Sequence, residues 1–119
     1  MTTLDTHARD KHVPDSDKIE TTRKSLPEYD IIDSMAQFFG LLSDPTRLKI
    51  VFVIKNEQLC VHEIANAIGL SISAVSHQLR LLKTAKMVKN RRYGKMVYYS
   101  LDDEHIQQLL SVADEHVKE

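Results

Sequence analysis

Apolar residues recur along this chain at two different periods, and the change of period organises everything else. Ile31, Met35, Phe38, Phe39 and Leu42 return every three or four positions, which predicts an amphipathic helix opened by Pro27. Ser43-Asp44-Pro45 restarts the chain, with Asp44 as an N-cap and Pro45 in the first helical position. The second helix is expected to run to about Lys55, with Leu48, Ile50, Val51, Val53 and Ile54 mostly inward. A turn follows at Asn56 to Gln58. A third helix over 61–68 ends at Gly69, where a left-handed cap is wanted. A fourth runs from about Ile72 or Ser73 to Lys83 or Thr84. Ala65, Ile68, Leu70, Val75, Leu79 and Leu82 are the expected apolar lock of this pair. Two short helices joined by a glycine-bearing turn read as a helix-turn-helix. Over 87–100 the period changes. β-branched and aromatic residues flank Gly94, which predicts a β-hairpin, a "wing" behind the helix-turn-helix. A last helix is capped at Leu101-Asp102-Asp103 and carries Ile106, Leu109, Leu110, Val112, Ala113 and Val117. The fold class is therefore mainly α with a β-hairpin wing. Residues 1–26 show no period and contain Pro14, so 1–27 is read as a flexible tail and 28–119 as the folded domain.

With 119 residues and 42% hydrophobic content, the chain supports one modest core. Its start lacks an apolar stretch of the signal-peptide kind, and no apolar run is long enough to span a membrane. Cys60 is the lone cysteine, so no intrachain disulfide forms, and a reducing cytoplasm suits it. The net charge of −1 argues against nucleic acid until its distribution is read. Residues 71–100 hold no Asp or Glu but seven cations: Arg80, Lys83, Lys86, Lys89, Arg91, Arg92 and Lys95. Residues 102–119 hold six acids against Lys118 alone. A basic block beside an acidic one separates two jobs that the average hides.

The basic block offers DNA-reading chemistry. Ser71, Ser73, Ser76, His77 and Arg80 lie on the outer side of the fourth helix. Its hydroxyls and N-terminus suit close approach to bases and phosphate, and Arg80 suits guanine or phosphate. Arg91, Arg92 and Lys95 sit at the wing tip, within reach of the backbone or minor groove. The plain alternatives are a cap for Ser71 and a solvated surface for His77. Helix-turn-helix proteins usually pair across a two-fold axis to read two half-sites, and the first and last helices are the natural dimer surfaces.

The acidic block offers metal chemistry. Asp103 and His105 stand at one end of the last helix, His116 and Glu119 at the other. His105 and His116 are 11 positions apart, about three whole turns, so they face the same way. They are also about 16 Å apart along the axis and cannot share an ion within one chain. Two copies packed antiparallel bring Asp103 and His105 of one to His116 and Glu119 of the other, twice over. Each site then has two nitrogens and two oxygens, which suits tetrahedral zinc; cobalt, nickel and cadmium are the alternatives. The plain alternative is a solvated helix face. A second, thinner constellation joins Cys60 and His62 with His7, Asp10 and His12 of the tail; here the alternative is that Cys60 is buried filler. An enzyme is not expected, because four protein ligands leave a zinc no open position and no nucleophile constellation accompanies it. No small organic substrate is expected.

Three segments carry a family resemblance: Ser43-Asp44-Pro45-Thr46-Arg47-Leu48, Leu59-Cys60-Val61-His62-Glu63-Ile64-Ala65, and Ser73-Ala74-Val75-Ser76-His77-Gln78-Leu79-Arg80-Leu81-Leu82. With the wing from Arg92 to Leu101, they resemble the ArsR/SmtB repressors over about residues 28–119. The resemblance implies a dimeric winged-helix metal sensor. Such a protein binds double-stranded operator DNA as an apo dimer and dissociates on metal binding, releasing efflux or detoxification genes from repression. Asp103, His105, His116 and Glu119 are similar to the zinc ligands of the family's C-terminal-helix sensors. The thiol-rich cadmium and lead sensors carry C-V-C where this chain has Cys60-Val61-His62, a departure that weighs against an all-thiolate site. A family member answering another effector, and a metal-storage or trafficking protein, are the alternative functions.

Overall fold

The computed structural model describes residues 13–119. They fall into two compact units, one ending at Ser34 and one starting at Met35.

In the first unit, helix α1 (Ser16–Lys24) stands where irregular chain was expected. No apolar stripe announces it, and none of its residues is buried. Local polar bonds suffice: the Asp15 carboxylate accepts from Asp17 N at 3.0 Å and Lys18 N at 3.1 Å. Asp17 lies in its first turn and Arg23 and Lys24 in its last, matching the helix dipole at both ends. Arg23 pairs with Glu20 one turn away. Helix α2 (Tyr29–Leu42) then begins and continues into the second unit.

In the second unit, α3 (Pro45–Val53) starts as the sequence predicts: Asp44 accepts from Arg47 N at 2.9 Å, and Pro45 fills the first turn. It ends two residues earlier than expected. A two-residue strand, β1 (Leu59–Cys60), follows; a strand this short has no period to be seen. α4 (Val61–Ile68) ends on Gly69 at φ 73°, a left-handed conformation that costs a residue with Cβ more than glycine. α5 (Ile72–Thr84) follows directly. β2 (Val88–Tyr93) and β3 (Met96–Leu101) form the hairpin, turning at Gly94, φ 61°. α6 (Glu104–Lys118) closes the chain. The sheet is antiparallel in the order β1-β3-β2, with Leu59 opposite Tyr99 and Arg91 opposite Tyr98.

One core ties these elements together. Ile50, Val51 and Ile54 of α3 meet Ile64 and Ala65 of α4, and Val75, Leu79 and Leu82 of α5. Met87, Val88 and Leu101 bring in the hairpin, and Ile106 and Leu110 bring in α6. Phe38, Leu41 and Leu42 of α2 pack partly against it. Burying each large aliphatic side chain stabilises by roughly 1.5–3 kcal/mol. Two expected inward residues are instead exposed: Leu48 on α3 and Leu70 in the helix-helix turn. Leu70 sits outside because its backbone, not its side chain, makes the turn: its N–H donates to Ala65 O at 3.1 Å. Among the described residues no helix is long and apolar enough to cross a membrane.

Candidate DNA-reading surface and metal-ligating helix

α5 is two-sided because its sequence is. Val75, Leu79 and Leu82 recur at four and three and are buried; Ser73, His77 and Arg80 recur at the same spacing and are exposed. Ser76 is half-buried between the two faces. Ser71 caps the helix, its Oγ accepting from Ala74 N at 3.1 Å, with Ser73 Oγ at 3.4 Å. The cap role of Ser71 is thus seen directly, and it leaves hydroxyls clustered at the helix N-terminus, where the backbone favours anions. The core holds α5 from below, and Arg47 holds it from the side. Arg47 Nη1 donates to Gln78 Oε1 at 3.2 Å and its Nε donates to Leu41 O at 2.7 Å. In the sequence Arg47 and Gln78 stand only as members of separate motifs. Their separation of 31 positions gave no signal that they meet.

The hairpin spreads its cations over two faces. Val88 and Leu101, paired in register, are buried on the inner face, which puts Lys89, Arg91, Tyr93 and Tyr98 together on the outer one. Arg92, opposite Val97, is on the other side, and Lys95 is in the turn. Arg91, Arg92 and Lys95 are all exposed. Arg91 Nη1 donates to Tyr93 Oη at 3.3 Å. That bond holds the Tyr93 phenol below its ordinary pKa and the Arg91 guanidinium above its own. The Tyr93 ring meets Tyr98 edge to face at 5.7 Å. The outer face is therefore a cation and aromatic surface, and its Lys89 and Arg91 line a groove with Glu57, Asp103 and Glu104.

α6 places its four candidate ligands in two pairs. Asp103 is the N-cap: its Oδ1 accepts from His105 N at 2.9 Å and Ile106 N at 3.2 Å, which leaves Oδ2 outside the cap. His105 Nδ1 lies 3.7 Å from the same Oδ1. At the far end His116 Nδ1 lies 3.9 Å from Glu119 Oε1. Both imidazoles are largely in solvent, with side chains 84% and 80% exposed. Among the described residues no three potential ligands cluster. Each end supplies one nitrogen and one oxygen donor type, half of a tetrahedral set of borderline and hard ligands, and this donor chemistry fits zinc.

Of the thinner constellation, only Cys60 and His62 lie among the described residues. Cys60 is buried as the N-cap residue of α4, with its N–H donating to Glu63 Oε1 at 2.9 Å. His62 is exposed and lines a shallow depression with Asn66 and Ser71 beside the helix-helix turn. His7 and His12 lie outside the described residues.

A helix-turn-helix whose second helix presents hydroxyls and Arg80, followed by a cationic hairpin, defines a winged helix-turn-helix DNA-binding regulator. The family described as bacterial regulatory protein, arsR family, matches residues 44–90, from the N-cap of α3 into β2. The chain is 46% identical over 104 residues to a cadmium resistance transcriptional regulatory protein CadC homolog of Staphylococcus aureus, covering 87% of this chain and 85% of that one. It is 42% identical over 104 residues to a transcriptional repressor SmtB homolog of Synechocystis, covering 85% and 79%. The homodimeric winged helix-turn-helix domain of a possible ArsR-family regulator from Mycobacterium bovis superposes with a TM-score of 0.68 at 28% identity, covering 79% and 93%. The chain belongs to the ArsR family of bacterial regulatory proteins.

Proposed function

We propose that this transcriptional regulator is a homodimeric repressor. It holds double-stranded operator DNA in its metal-free form and lets go when zinc, or a similar divalent ion, joins its two α6 helices. Ser71, Ser73, Ser76, His77 and Arg80 read the major groove, and Arg91, Arg92 and Lys95 grip the backbone or minor groove. Asp103 and His105 of one protomer and His116 and Glu119 of the other would hold the ion, which would cross-link the two helices. Cobalt, nickel and cadmium suit the same ligands. The relative named for cadmium resistance supports metal as the signal, and the one named a transcriptional repressor supports repression. A cytoplasmic setting suits a DNA ligand and the lone thiol.

One observation carries this reading: the ligand pairs stand exposed on one helix, three turns apart and too far for one chain to close a site. Apolar residues left in solvent support pairing of two copies. They are Ile31, Ile32, Met35 and Phe39 on α2, and Val112 (64% exposed) and Val117 (81%) on α6. Fixing the mutual angle of two α6 helices fixes the spacing of two recognition helices, because Ile106 and Leu110 anchor α6 in the core that carries α5. Linkage makes the effect reciprocal: DNA weakens metal binding by the same factor.

The test is fluorescence anisotropy on a duplex selected from random sequence by the metal-free protein, titrated with and without zinc. Zinc is expected to weaken binding by about 5–150-fold in wild type and to have no effect on His105→Ala. Undiminished DNA binding in saturating zinc, or full release in His105→Ala, would contradict the proposal.

A further inference from the structure

α6 and the segment that leads into the helix-turn-helix share a side-chain bond that belongs to neither candidate site. Gln107 Nε2 donates to Asn56 Oδ1 at 2.8 Å, across 51 positions of sequence. The side-chain bonds of Ser111, Lys118 and the Asp103 cap stay inside or next to α6; this one leaves it. Gln107 is four positions after Asp103, so the two stand one above the other on the same helix face. Asn56 lies in the loop between α3 and β1. Five positions later β1 has ended and α4, the first helix of the DNA-binding pair, has begun.

Both residues line an open groove of about 530 Å³ together with Lys89, Arg91 and Asp103. On this flank α6 is not pressed against its neighbours, so a directional bond rather than packing sets the distance to the loop. The groove also gives the first turn of α6 room to shift. Beside Gln107 on the helix, Ile106 and Leu110 are buried and tether this half of α6 to the core. A pull on Asp103 therefore reaches Gln107 within one turn, Asn56 through one hydrogen bond, and α4 through a short strand whose Leu59 and Cys60 are pinned to Tyr99 and Tyr98.

We infer that Asn56 and Gln107 are positioning residues that transmit the state of the Asp103 end of α6 to the helix-turn-helix. This rests on the proposed metal response. The pair touches neither DNA nor metal ligands in that reading, so its removal is expected to leave each binding event intact and to weaken the coupling between them.

The experiment uses the full chain as dimer, the selected duplex and zinc alone. DNA affinity is measured with and without zinc for wild type, Asn56→Ala, Gln107→Ala, the double variant, and the exchange Asn56→Gln with Gln107→Asn. The ratio of the two affinities is expected to shrink roughly 2- to 30-fold in each single variant. The double variant is expected to be no worse than either single, since both remove one bond. The exchange restores the amide pair and is expected to recover the ratio. Metal-free DNA affinity and thermal midpoint should stay near wild type. Single variants that release DNA as fully as wild type would overturn the inference, as would a fall in metal-free affinity with the ratio unchanged. A wild type indifferent to zinc would overturn the metal response itself, and this coupling with it.

Discussion

The basic half of the molecule, α5 with its hairpin, and the acidic α6 differ in how complete they are. α5 is clamped by Val75, Leu79 and Leu82 in the core and by Arg47 at its side, and everything it needs to present a surface to DNA lies within one chain. α6 is half anchored. Ile106 and Leu110 are buried near its start, whereas Val112 and Val117 stand in solvent, and its ligands come in two incomplete pairs. The first region is complete within one chain; the second, in the proposed reading, is completed by a second copy. A sensor benefits from that division. The reading surface must be rigid, and the element that receives the signal must have two arrangements of similar energy.

The division can be broken first where the DNA-reading half is most rigid. Leu82 is 0% exposed, so Leu82→Ala should destabilise the fold by about 2–5 kcal/mol in chemical denaturation. Val117→Ser on α6 should leave monomer folding untouched and weaken self-association, read by sedimentation. Equal effects of the two would erase the contrast. Next comes the electrostatic grip. Removing Arg91, Arg92 or Lys95 should reduce the slope of log affinity against log salt by roughly 0.9 for each phosphate no longer neutralised. Replacing Glu104 or Glu115 of α6 should leave that slope unchanged. A smaller effect separates two roles of Asp103. Asp103→Ala removes the cap and should cost about 1 kcal/mol, whereas Asp103→Ser keeps a capping oxygen and most of that stability. Both should lose zinc-dependent release, which shows the carboxylate acting beyond the cap.

Much of this was legible in the chain. The helical periods from Ile31 to Leu42, from Pro45 to about Lys55 and from Ile72 to Thr84, the caps at Asp44, Ser71 and Asp103, and the glycines at Gly69 and Gly94 correspond to observed elements, the second helix ending two residues early, because each is set by local backbone chemistry. Three things were not. α1 is built by a cap and charges without an apolar stripe, so a search for hydrophobic period passes over it. β1 is two residues held by a partner strand about forty positions away. The Arg47–Gln78 and Asn56–Gln107 bonds join distant segments, and spacing along a chain carries no information about them. The candidate ligand pairs lie between these cases. Their spacing forbids closure within one chain, and it takes a second copy to turn that prohibition into a site.

That last point is the most direct one to test. His105→Ala and His116→Ala chains, each inactive for zinc as a homodimer, can be mixed, exchanged and purified as a heterodimer with two different tags. In an intersubunit arrangement one site of the heterodimer loses both histidines and the other keeps all four ligands. Zinc titration should therefore give two ions per wild-type dimer, none per dimer of either variant, and one per heterodimer at wild-type affinity. A heterodimer that binds no zinc, while the wild type binds two, would contradict a site shared between the C-terminal helices.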